Sequence, residues 1–500
     1  MIKILYVAVL ICSFNLTVAA KTKSDKSESK IYNKSLKLET DKTNPLVDFM
    51  YTADPTSIIH EGRMYVYATN DQQQMNTVGE ERQNTYESIH SLVMLSTADM
   101  VNWTYHGSIN VAAIAPWSTA SWAPSIVSRV EESDGKTHFY LYYSNSGNGI
   151  GVLTSTSPVG PWHDPLGKNI IDRTTPGLGD CSAPFDPGVV IDDHGIGWLS
   201  FGGGDVNKTG TSYMPGNARI VQLGGDMISL GSNIVEIPAP YHFEANELNF
   251  LNGTWIYSYC TNWEKRSKWP YQRKEEPTAC CMSYMRTKTP LIQESWEYCD
   301  NFFKNPGDYG MSYSNNHTHL CKFKGNYYLL YHTLGLGDFH EVTTGYRSLC
   351  IDQITVDEKA AAVFMGVATL EGVSQIETLN PFVTQQAETL AATSSIDFEE
   401  IGEIGNTVVI TKKKIGSILV KGVNFNQQPK ILELRVKGQG EIVVQLAEEE
   451  RMPIISLEFN KNKWSVISVP IADNIKVKGI HDISFFLKGH IEFDEWKFIY

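Results

Sequence analysis

The stretch TADPTSIIHEGRMYVY, residues 52–67, places one acid, Asp54, before an apolar run, a turn at Gly62 and an aromatic strand. A turn glycine between two alternating segments predicts a β-hairpin. Taken alone, Asp54-Pro55 is a common start of a turn. A recurrence of the segment elsewhere in the chain would instead give this acid a fixed position in a repeated fold.

The same pattern of a turn glycine followed by a short aromatic strand occurs five times, with glycines 58 to 73 residues apart. That spacing is enough for one four-stranded sheet per unit, and helical periodicity is nearly absent over residues 44–375. Five such units predict a five-bladed β-propeller in an all-β protein. The segments are EGRMYVYATN, DGKTHFYLYYSNS, HGIGWLSFGG, NGTWIYSYCTN and KGNYYLLYHT.

Counting back from each glycine places Asp54, Asp186, Glu244 and His317 in matching register, while the second unit brings Trp122. In a propeller such positions meet at one mouth, so the three carboxyl groups are expected to face one another. Crowded carboxyls push their pKa values apart, so that one can stay protonated near neutrality. Glycoside hydrolysis uses this arrangement. A divalent-metal site and plain Asp-Pro turns are the alternatives.

The amino-acid composition limits the classes of molecule that the protein can be expected to bind. Lys and Arg number 42 against 56 Asp and Glu, a formal net charge of −14, which disfavours nucleic acid and is compatible with an uncharged polysaccharide. The 11% aromatic content suits sugar binding and aromatic-rich strands alike. Eight cysteines, one of them Cys12 in the N-terminal apolar run, show no zinc-type pairs, so no disulfide framework is predicted. The adjacent Cys280 and Cys281 are expected to be buried, with at most one incidental bridge.

The N-terminus predicts export. Residues 1–20 combine a lysine, a short apolar core and a Val-Ala-Ala end, as in a signal peptide, and the apolar run is too short for a transmembrane segment. Periplasmic or secreted localisation follows. The polar, lysine-rich residues 21–43 predict a disordered leader.

The order and spacing of ADPTSII, SWAPSIV, FDPGVVID, FEANELNF and NNHTHLCKF resemble glycoside hydrolase family 43 over residues 44–380. The resemblance implies a five-bladed propeller that hydrolyses glycosidic bonds with inversion. By position, Asp54 resembles the general base and Glu244 the general acid. Asp186 resembles the third acid, which orients the sugar and raises the pKa of the general acid. Inversion implies base and acid carboxyls about 6.5–9.5 Å apart.

Three further positions match the family. Trp122 resembles an aromatic wall of the terminal-sugar subsite, and His317 an axial histidine that contacts a central Ca²⁺ through water. Arg347 resembles an arginine that reaches the sugar hydroxyls. A core tryptophan, a structural histidine and a surface ion pair are the respective alternatives. Glu247 is the second candidate acid, expected on the opposite strand face from Glu244.

Residues 384–500 change to short alternating strands, which predicts a β-sandwich with jelly-roll-like character. TQQAETLA and IEFDEWKFIY resemble the two ends of carbohydrate-binding module family 6. The resemblance implies a structural Ca²⁺ held by Glu388 and Asp494. No organic cofactor is implied.

The function that the resemblance implies is an exo-acting, inverting glycoside hydrolase, foremost an α-L-arabinofuranosidase acting on arabinoxylan or arabinan. β-Xylosidase and exo-galactosidase activity, or a noncatalytic sugar-binding propeller, are the alternatives. Residues 71–90 and 264–281 are expected to shape the mouth. Asn316 begins a glycosylation sequon beside that mouth, so an unglycosylated, bacterial setting is favoured.

Overall fold

The computed structural model describes residues 34–204, 213–263, 269–271, 276–402, 404–411, 415–447 and 453–500. The predicted signal peptide and most of the predicted leader lie outside these ranges. Within them, none of the helices combines the length and the apolar character needed to cross a bilayer.

Five antiparallel sheets follow one another along the chain, and their first strands contact one another in a closed ring. The predicted five-bladed propeller and all-β class are confirmed. Blade 1 contains β1 (Ala53–His60), β2 (Arg63–Thr69), β3 (Ser91–Thr97) and β4 (Trp103–Asn110). Blade 2 contains β5 (Trp122–Val130), β6 (Thr137–Ser144), β7 (Gly149–Ser155) and β8 (Ile171–Asp172).

The remaining blades repeat this antiparallel arrangement. Blade 3 contains β9 (Gly188–Ile191), β10 (Gly197–Phe201), β11 (Ala218–Gln222) and β12 (Val235–Ile237). Blade 4 contains β13 (His242–Leu251), β14 (Thr254–Thr261), β15 (Met282–Thr287) and β16 (Glu297–Phe303). Blade 5 contains β17 (Thr318–Phe323), β18 (Asn326–Thr333) and β19 (Ser348–Ile354), and is followed by a ribbon of β20 (Val356–Asp357) and β21 (Ala362–Val363).

Helices are few and short. In the described residues they are α1 (Leu36–Thr40), α2 (Asp71–Val78), α3 (Val111–Ile114) and α4 (Gly335–His340), with 3₁₀ turns at Ser146–Asn148, Gln293–Ser295 and Pro306–Tyr309. Of these, α2 matters most for the site because it opens the segment between β2 and β3.

Five buried apolar clusters lie between neighbouring blades, one for each pair around the ring. Each blade therefore buries both of its faces against its neighbours, in keeping with the continuous apolar and aromatic runs of its inner strands. The burial fixes every first strand relative to the next one. The side chains at the start of those strands are held in place by packing across the whole ring.

The ring is closed by residues 44–52, which run beside β19 of blade 5. The amide of Leu46 donates to Leu349 O at 2.8 Å, and the amide of Thr52 donates to Arg347 O at 2.8 Å. The buried side chain of Asn44 exchanges hydrogen bonds with both backbone groups of Ile351. Blade 5 thus has its outer edge satisfied by the segment that leads into blade 1.

The prediction of a disordered leader over residues 21–43 is wrong for α1. Ser35 caps this helix by accepting from the amide of Leu38. Leu36 is buried in a cluster with Tyr51 and Tyr346. The buried Leu36, the Ser35 cap and the buried Lys37, whose Nζ donates to Leu46 O at 2.9 Å, hold this turn against the propeller although its composition is polar.

The C-terminal residues form one curled sheet around a single apolar core. Its strand β23 (Thr389–Leu390) pairs instead with β4, which extends blade 1 to five strands and joins the two domains. The other strands are β22 (Gln385–Gln386), β24 (Ala392–Ser394), β25 (Asp397–Glu400), β26 (Thr407–Ile410), β27 (Gly416–Phe425), β28 (Ile431–Leu446), β29 (Pro453–Pro470) and β30 (Gly479–Ile499).

Candidate active site

In four of the five blades, a residue at the start of the first strand has a left-handed backbone conformation, with positive φ. These residues are Asp54 (φ 51°), Ala123 (φ 41°), Asp186 (φ 49°) and Ala245 (φ 61°). Such a φ is uncommon for a residue other than glycine and persists only where the surroundings hold it. The repeat of a strained position in each blade indicates that it serves the mouth of the propeller.

The predicted register is right for Asp54 and Asp186 and wrong by one residue for Glu244. In blade 4 the left-handed position is Ala245, so Glu244 stands one residue before it, as Trp122 does in blade 2. The register of β13 shifts here, at a bulge that counting from the turn glycine does not reveal. Glu244 nevertheless lies close enough to the other two acids for their charges to raise its pKa.

Polar side chains at the ends of second strands hold the left-handed residues of the next blade. Thr69 Oγ1 accepts from the amide of Ala123 at 2.8 Å, and Ser144 Oγ accepts from the amide of Asp186 at 2.7 Å. His332 Nδ1 accepts from the amide of Asp54 at 3.2 Å. Each acid is therefore positioned by two blades.

His332 acts in this clamp as a neutral ring. Burial lowers its pKa. Its Nε2 lies 2.8 Å from Asn315 O and donates to it, which leaves Nδ1 as the acceptor for the Asp54 amide. The tautomer thus follows from its two partners.

Asp54 is buried and held in the ionised form. Its Oδ1 accepts from Arg347 Nη1 at 2.9 Å, and its Oδ2 accepts from Thr69 Oγ1 at 2.8 Å. Burial alone would raise its pKa, but the Arg347 charge and the His317 ring, 3.5 Å from Oδ1, outweigh burial. The pKa of Asp54 lies well below its usual range, so this carboxylate can accept a proton at neutral pH.

Arg347 is buried and fixed by a second acid that sequence reasoning missed. Its Nε and Nη2 donate to the two oxygens of Asp71 at 2.9 and 2.8 Å, a bidentate pair. Asp71 also accepts from Asn84 Nδ2 at 2.8 Å. The surface ion pair considered for Arg347 is therefore wrong, because the guanidinium bridges Asp71 and Asp54 inside the protein.

Glu244 is half-buried, and its surroundings raise its pKa where those of Asp54 lower it. Burial and then the charges of Asp186 and Asp54 raise its pKa to about 8. Asp186 accepts from the amide of Ala245 at 2.9 Å, and its pKa is raised mainly by burial, with His317 opposing the shift. At neutral pH Glu244 is protonated while Asp54 is ionised, the division that general acid and base catalysis requires.

An aromatic wall stands beside the acids. Trp122 is half-buried and its Nε1 donates to Tyr86 O at 3.1 Å. The Tyr86 ring packs edge-on against Trp122, with centroids 6.1 Å apart, and lies 4.8 Å from the Arg347 guanidinium carbon. Tyr86 itself has φ 64°, a strained value for a bulky residue. The core tryptophan alternative is wrong, and the predicted segment 71–90 does reach the mouth through Tyr86.

His317 and Glu247 lie near the axis in different roles. Burial would lower the pKa of His317, but Asp54 and Asp186 raise it, so the ring pairs with the acids. Glu247 is buried, and its Oε1 lies 2.7 Å from His319 Nδ1. The expectation that Glu247 faces away from Glu244 is wrong. Because of the bulge, Glu244 pairs with Cys260 and Glu247 with Ser258, and these two partners, two residues apart on β14, lie on the same face of the sheet. The burial of Glu247 against His319 still separates it from substrate.

Residues 42–360 match the protein family described as glycosyl hydrolases family 43. The chain belongs to this family. It is an enzyme that hydrolyses glycosidic bonds, as predicted. An arabinoxylan arabinofuranohydrolase of Bacillus subtilis (strain 168) is 32% identical, and the match covers 98% of each chain. One of Paenibacillus polymyxa is 31% identical over 91% of this chain and 74% of its own.

A solved structure extends the likeness to both domains. The glycoside hydrolase family 43 arabinoxylan arabinofuranohydrolase from Bacillus subtilis, in complex with cellotetraose, has a TM-score of 0.84 and 31% identity to this chain. The match covers 94% of this chain and 99% of the other. The C-terminal sheet is thus part of the shared architecture.

The two predicted metal ligands of the C-terminal sheet lie together. The amide of Ala387 donates to Asp494 O at 2.7 Å, and both Glu388 and Asp494 are fully buried. Glu388 Oε2 and Asp494 Oδ1 have no hydrogen-bond partner, while the guanidinium of Arg435 contacts Asp494 Oδ2. Two buried carboxylates with unpartnered oxygens fit a hard cation. No group of three or more His, Cys, Asp or Glu side chains with metal-binding geometry occurs in the described ranges.

The residues that sequence reasoning missed divide into two kinds. Thr69, Ser144 and His332 end the aromatic segments YAT, YYS and YYLLYH, so aligning the far ends of the repeats would have found them. Asp71 and Tyr86 lie between the repeated segments, and Asn315 opens the segment NNHTHLCKF, where the sequence does not distinguish it as a site residue. Only the folded structure brings them to the mouth.

We expect Arg347→Lys to move the acidic limb of the pH profile of kcat/KM to higher pH. A lysine keeps a charge but cannot bind both Asp54 and the two oxygens of Asp71, so the pKa of Asp54 rises toward its ordinary value. At neutral pH, kcat/KM should fall about 100-fold through the loss of geometry.

The matched control is Arg286→Lys, in a partly exposed pair with Glu297. It should leave kcat/KM and the profile unchanged. An acidic limb that stays in place in Arg347→Lys would contradict the role given to the guanidinium.

Proposed function

We propose that this enzyme is an exo-acting, inverting α-L-arabinofuranosidase that releases arabinose from the side chains of arabinoxylan or arabinan. The observation that carries the proposal is the likeness to arabinoxylan arabinofuranohydrolases along nearly the whole chain, in sequence and in fold. The substrate is thus a neutral polysaccharide, in keeping with the acidic surface. The predicted export, outside the described residues, would bring the enzyme to such a polymer.

The geometry supports a direct displacement by water. Asp54 is ionised and held from three sides, so it would take a proton from water as that water attacks the anomeric carbon. Glu244 is protonated near neutrality and would give its proton to the departing glycosidic oxygen. The proton lost by water and the proton gained by the leaving group balance, and no covalent intermediate forms.

The remaining residues would position the sugar and tune the acids. Asp186, close to Glu244, keeps the pKa of that acid raised and offers a carboxylate to the sugar hydroxyls. Trp122 and Tyr86 would form one wall of the terminal subsite. Arg347 is committed to Asp54 and Asp71, so its main task would be to hold the base instead of gripping the sugar.

The decisive experiment compares nitrophenyl α-L-arabinofuranoside, β-xyloside and β-galactofuranoside, and then arabinoxylan and arabinan. We expect the arabinofuranoside to be cleaved with the highest kcat/KM and free arabinose to leave both polymers. Proton NMR of the first-formed sugar should show the inverted anomer. Preference for xyloside or galactofuranoside would replace the arabinose assignment, and a retained anomer would overturn the direct displacement.

Glu244→Gln should lower kcat/KM on arabinoxylan about 1,000-fold, because the amide cannot protonate a sugar leaving group. The loss should be smaller on the nitrophenyl substrate, whose leaving group needs little protonation. In the unmodified enzyme, activity should fall as pH rises through about 8, where Glu244 loses its proton.

The control Glu297→Gln changes an exposed glutamate and should match the unmodified enzyme. Full activity of Glu244→Gln on the polymer, or an alkaline limb unchanged in that variant, would remove Glu244 from the role of acid.

We also propose a structural Ca²⁺ in the C-terminal sheet, held by Glu388 and Asp494. Their unpartnered buried oxygens support it, and backbone carbonyls or waters would complete the six to eight ligands that Ca²⁺ takes. The bound ion would satisfy the unpartnered oxygens of the two carboxyl groups and stabilise the sheet. A second, central ion reached by His317 through water stays a prediction.

Calcium should raise Tm, and the double variant Glu388→Gln, Asp494→Asn should lose this shift. The control Glu399→Gln alters an exposed acid of the same sheet and should keep it. Titration calorimetry on the unmodified protein gives the number of ions directly. No binding would overturn both sites, and a shift that persists in the double variant would overturn the site at Glu388 and Asp494.

A further inference from the structure

Two buried cysteines of blade 4 have their sulfur atoms in contact. Cys260 Sγ and Cys280 Sγ are 3.4 Å apart, and both residues are fully buried. A disulfide has a sulfur separation of about 2.05 Å, so closing this pair requires a movement of about 1.3 Å shared by two side chains. Rotation about the Cα–Cβ bonds can supply it. The neighbouring Cys281 instead points its sulfur toward Thr261 Oγ1 at 3.3 Å.

Backbone hydrogen bonds already connect the two segments that carry the pair. The amide of Thr261 donates to Cys281 O at 2.9 Å, and the amide of Cys280 donates to Asn262 O at 3.0 Å. Cys280 has a left-handed backbone, with φ 51°, and stands two residues before Met282, the first residue of β15, which pairs with Cys260. A covalent link would therefore lock a geometry that hydrogen bonds already hold.

Each cysteine also contacts an element of the active site. Cys260 lies directly opposite Glu244 in the β13–β14 ladder. Cys280 O accepts from the side-chain amides of Asn305 and Asn316 at 3.4 and 3.2 Å, and Asn316 directly precedes His317. The pair thus stands between the strand of the candidate acid and the entry to blade 5.

We propose that Cys260 and Cys280 form a disulfide when the protein folds in an oxidising compartment. The bond covalently joins the two ends of the segment between the cysteines and fixes the strand beside Glu244. This assignment is independent of the sugar that the enzyme cleaves. It also distinguishes these two cysteines from the other cysteines of the described residues, which are Cys181, Cys281, Cys299, Cys321 and Cys350.

The chemistry requires a disulfide-bearing oxidant, such as oxidised glutathione or a thiol oxidoreductase. One cysteine thiolate attacks the oxidant and releases one thiol, which leaves a mixed disulfide. The second thiolate then attacks the first cysteine sulfur and releases the second thiol. The two cysteines lose two electrons and two protons in all, and the oxidant gains them. Because both sulfurs are buried in the finished fold, the exchange precedes the closing of blade 4.

The test refolds the full chain with oxidised glutathione or with dithiothreitol, blocks free thiols under denaturing conditions and maps peptides by mass spectrometry. We expect a crosslinked Cys260–Cys280 peptide in the oxidised sample, lighter by two hydrogens than the sum of its parts. The oxidised protein should unfold about 5 °C above the reduced one, as expected for a loop of this length. Complete blocking of both cysteines in the oxidised sample, or a bridge from Cys260 to Cys281, would overturn the proposal.

Cys280→Ser should remove the difference in Tm between oxidised and reduced samples, whereas Cys299→Ser, altering a half-exposed cysteine, should keep it. A difference that persists in Cys280→Ser would show that another pair is responsible. If Cys280→Ser does not fold, the peptide map of the unmodified chain decides the matter by itself.

Discussion

The structure depends on residues with a left-handed backbone conformation, which a single blade cannot stabilise without its neighbour. Asp54, Ala123 and Asp186 adopt an unfavourable backbone conformation, and a hydroxyl or imidazole of the preceding blade accepts from each of their amides. The strain is offset by packing between blades, where five apolar clusters fix the strands. The acids are therefore positioned by the assembled ring and not by their own hairpins.

The chemistry follows from unequal surroundings of similar carboxyl groups. Asp54 shares the Arg347 guanidinium with Asp71, which keeps the pKa of Asp54 low despite burial. Glu244 is placed where burial and two neighbouring acids raise its pKa. The Arg347 cation and the imidazoles beside Asp54 therefore separate a base from an acid. Glu247, three residues after Glu244 on the same strand, contacts His319 and takes no part in this separation of acid from base.

The sequence predicted the propeller and the acids because both depend on a repeat. Turn glycines and aromatic strands recur in every blade, and Asp54 and Asp186 stand eight and nine residues before their glycines. Glu244 was placed one residue out of register because a bulge changes the count without changing the pattern. The partners of Arg347 could not be predicted, since Asp71 and Tyr86 lie between β2 and β3, outside the repeated segments. Helix α1 was missed because its order comes from a tertiary pocket and not from its composition.

Closure of the ring links the fold to the ionisation of the base. Residues 44–52 lie along β19 and end with Thr52, whose amide donates to Arg347 O, two residues before Asp54. The same few residues thus complete blade 5 and bring Asp54 to Arg347 from the other end of the propeller sequence. A propeller opened at this seam would retain its hairpins but lose the cation that keeps Asp54 ionised. The base is consequently competent only in the closed ring, which ties catalysis to the integrity of the whole domain.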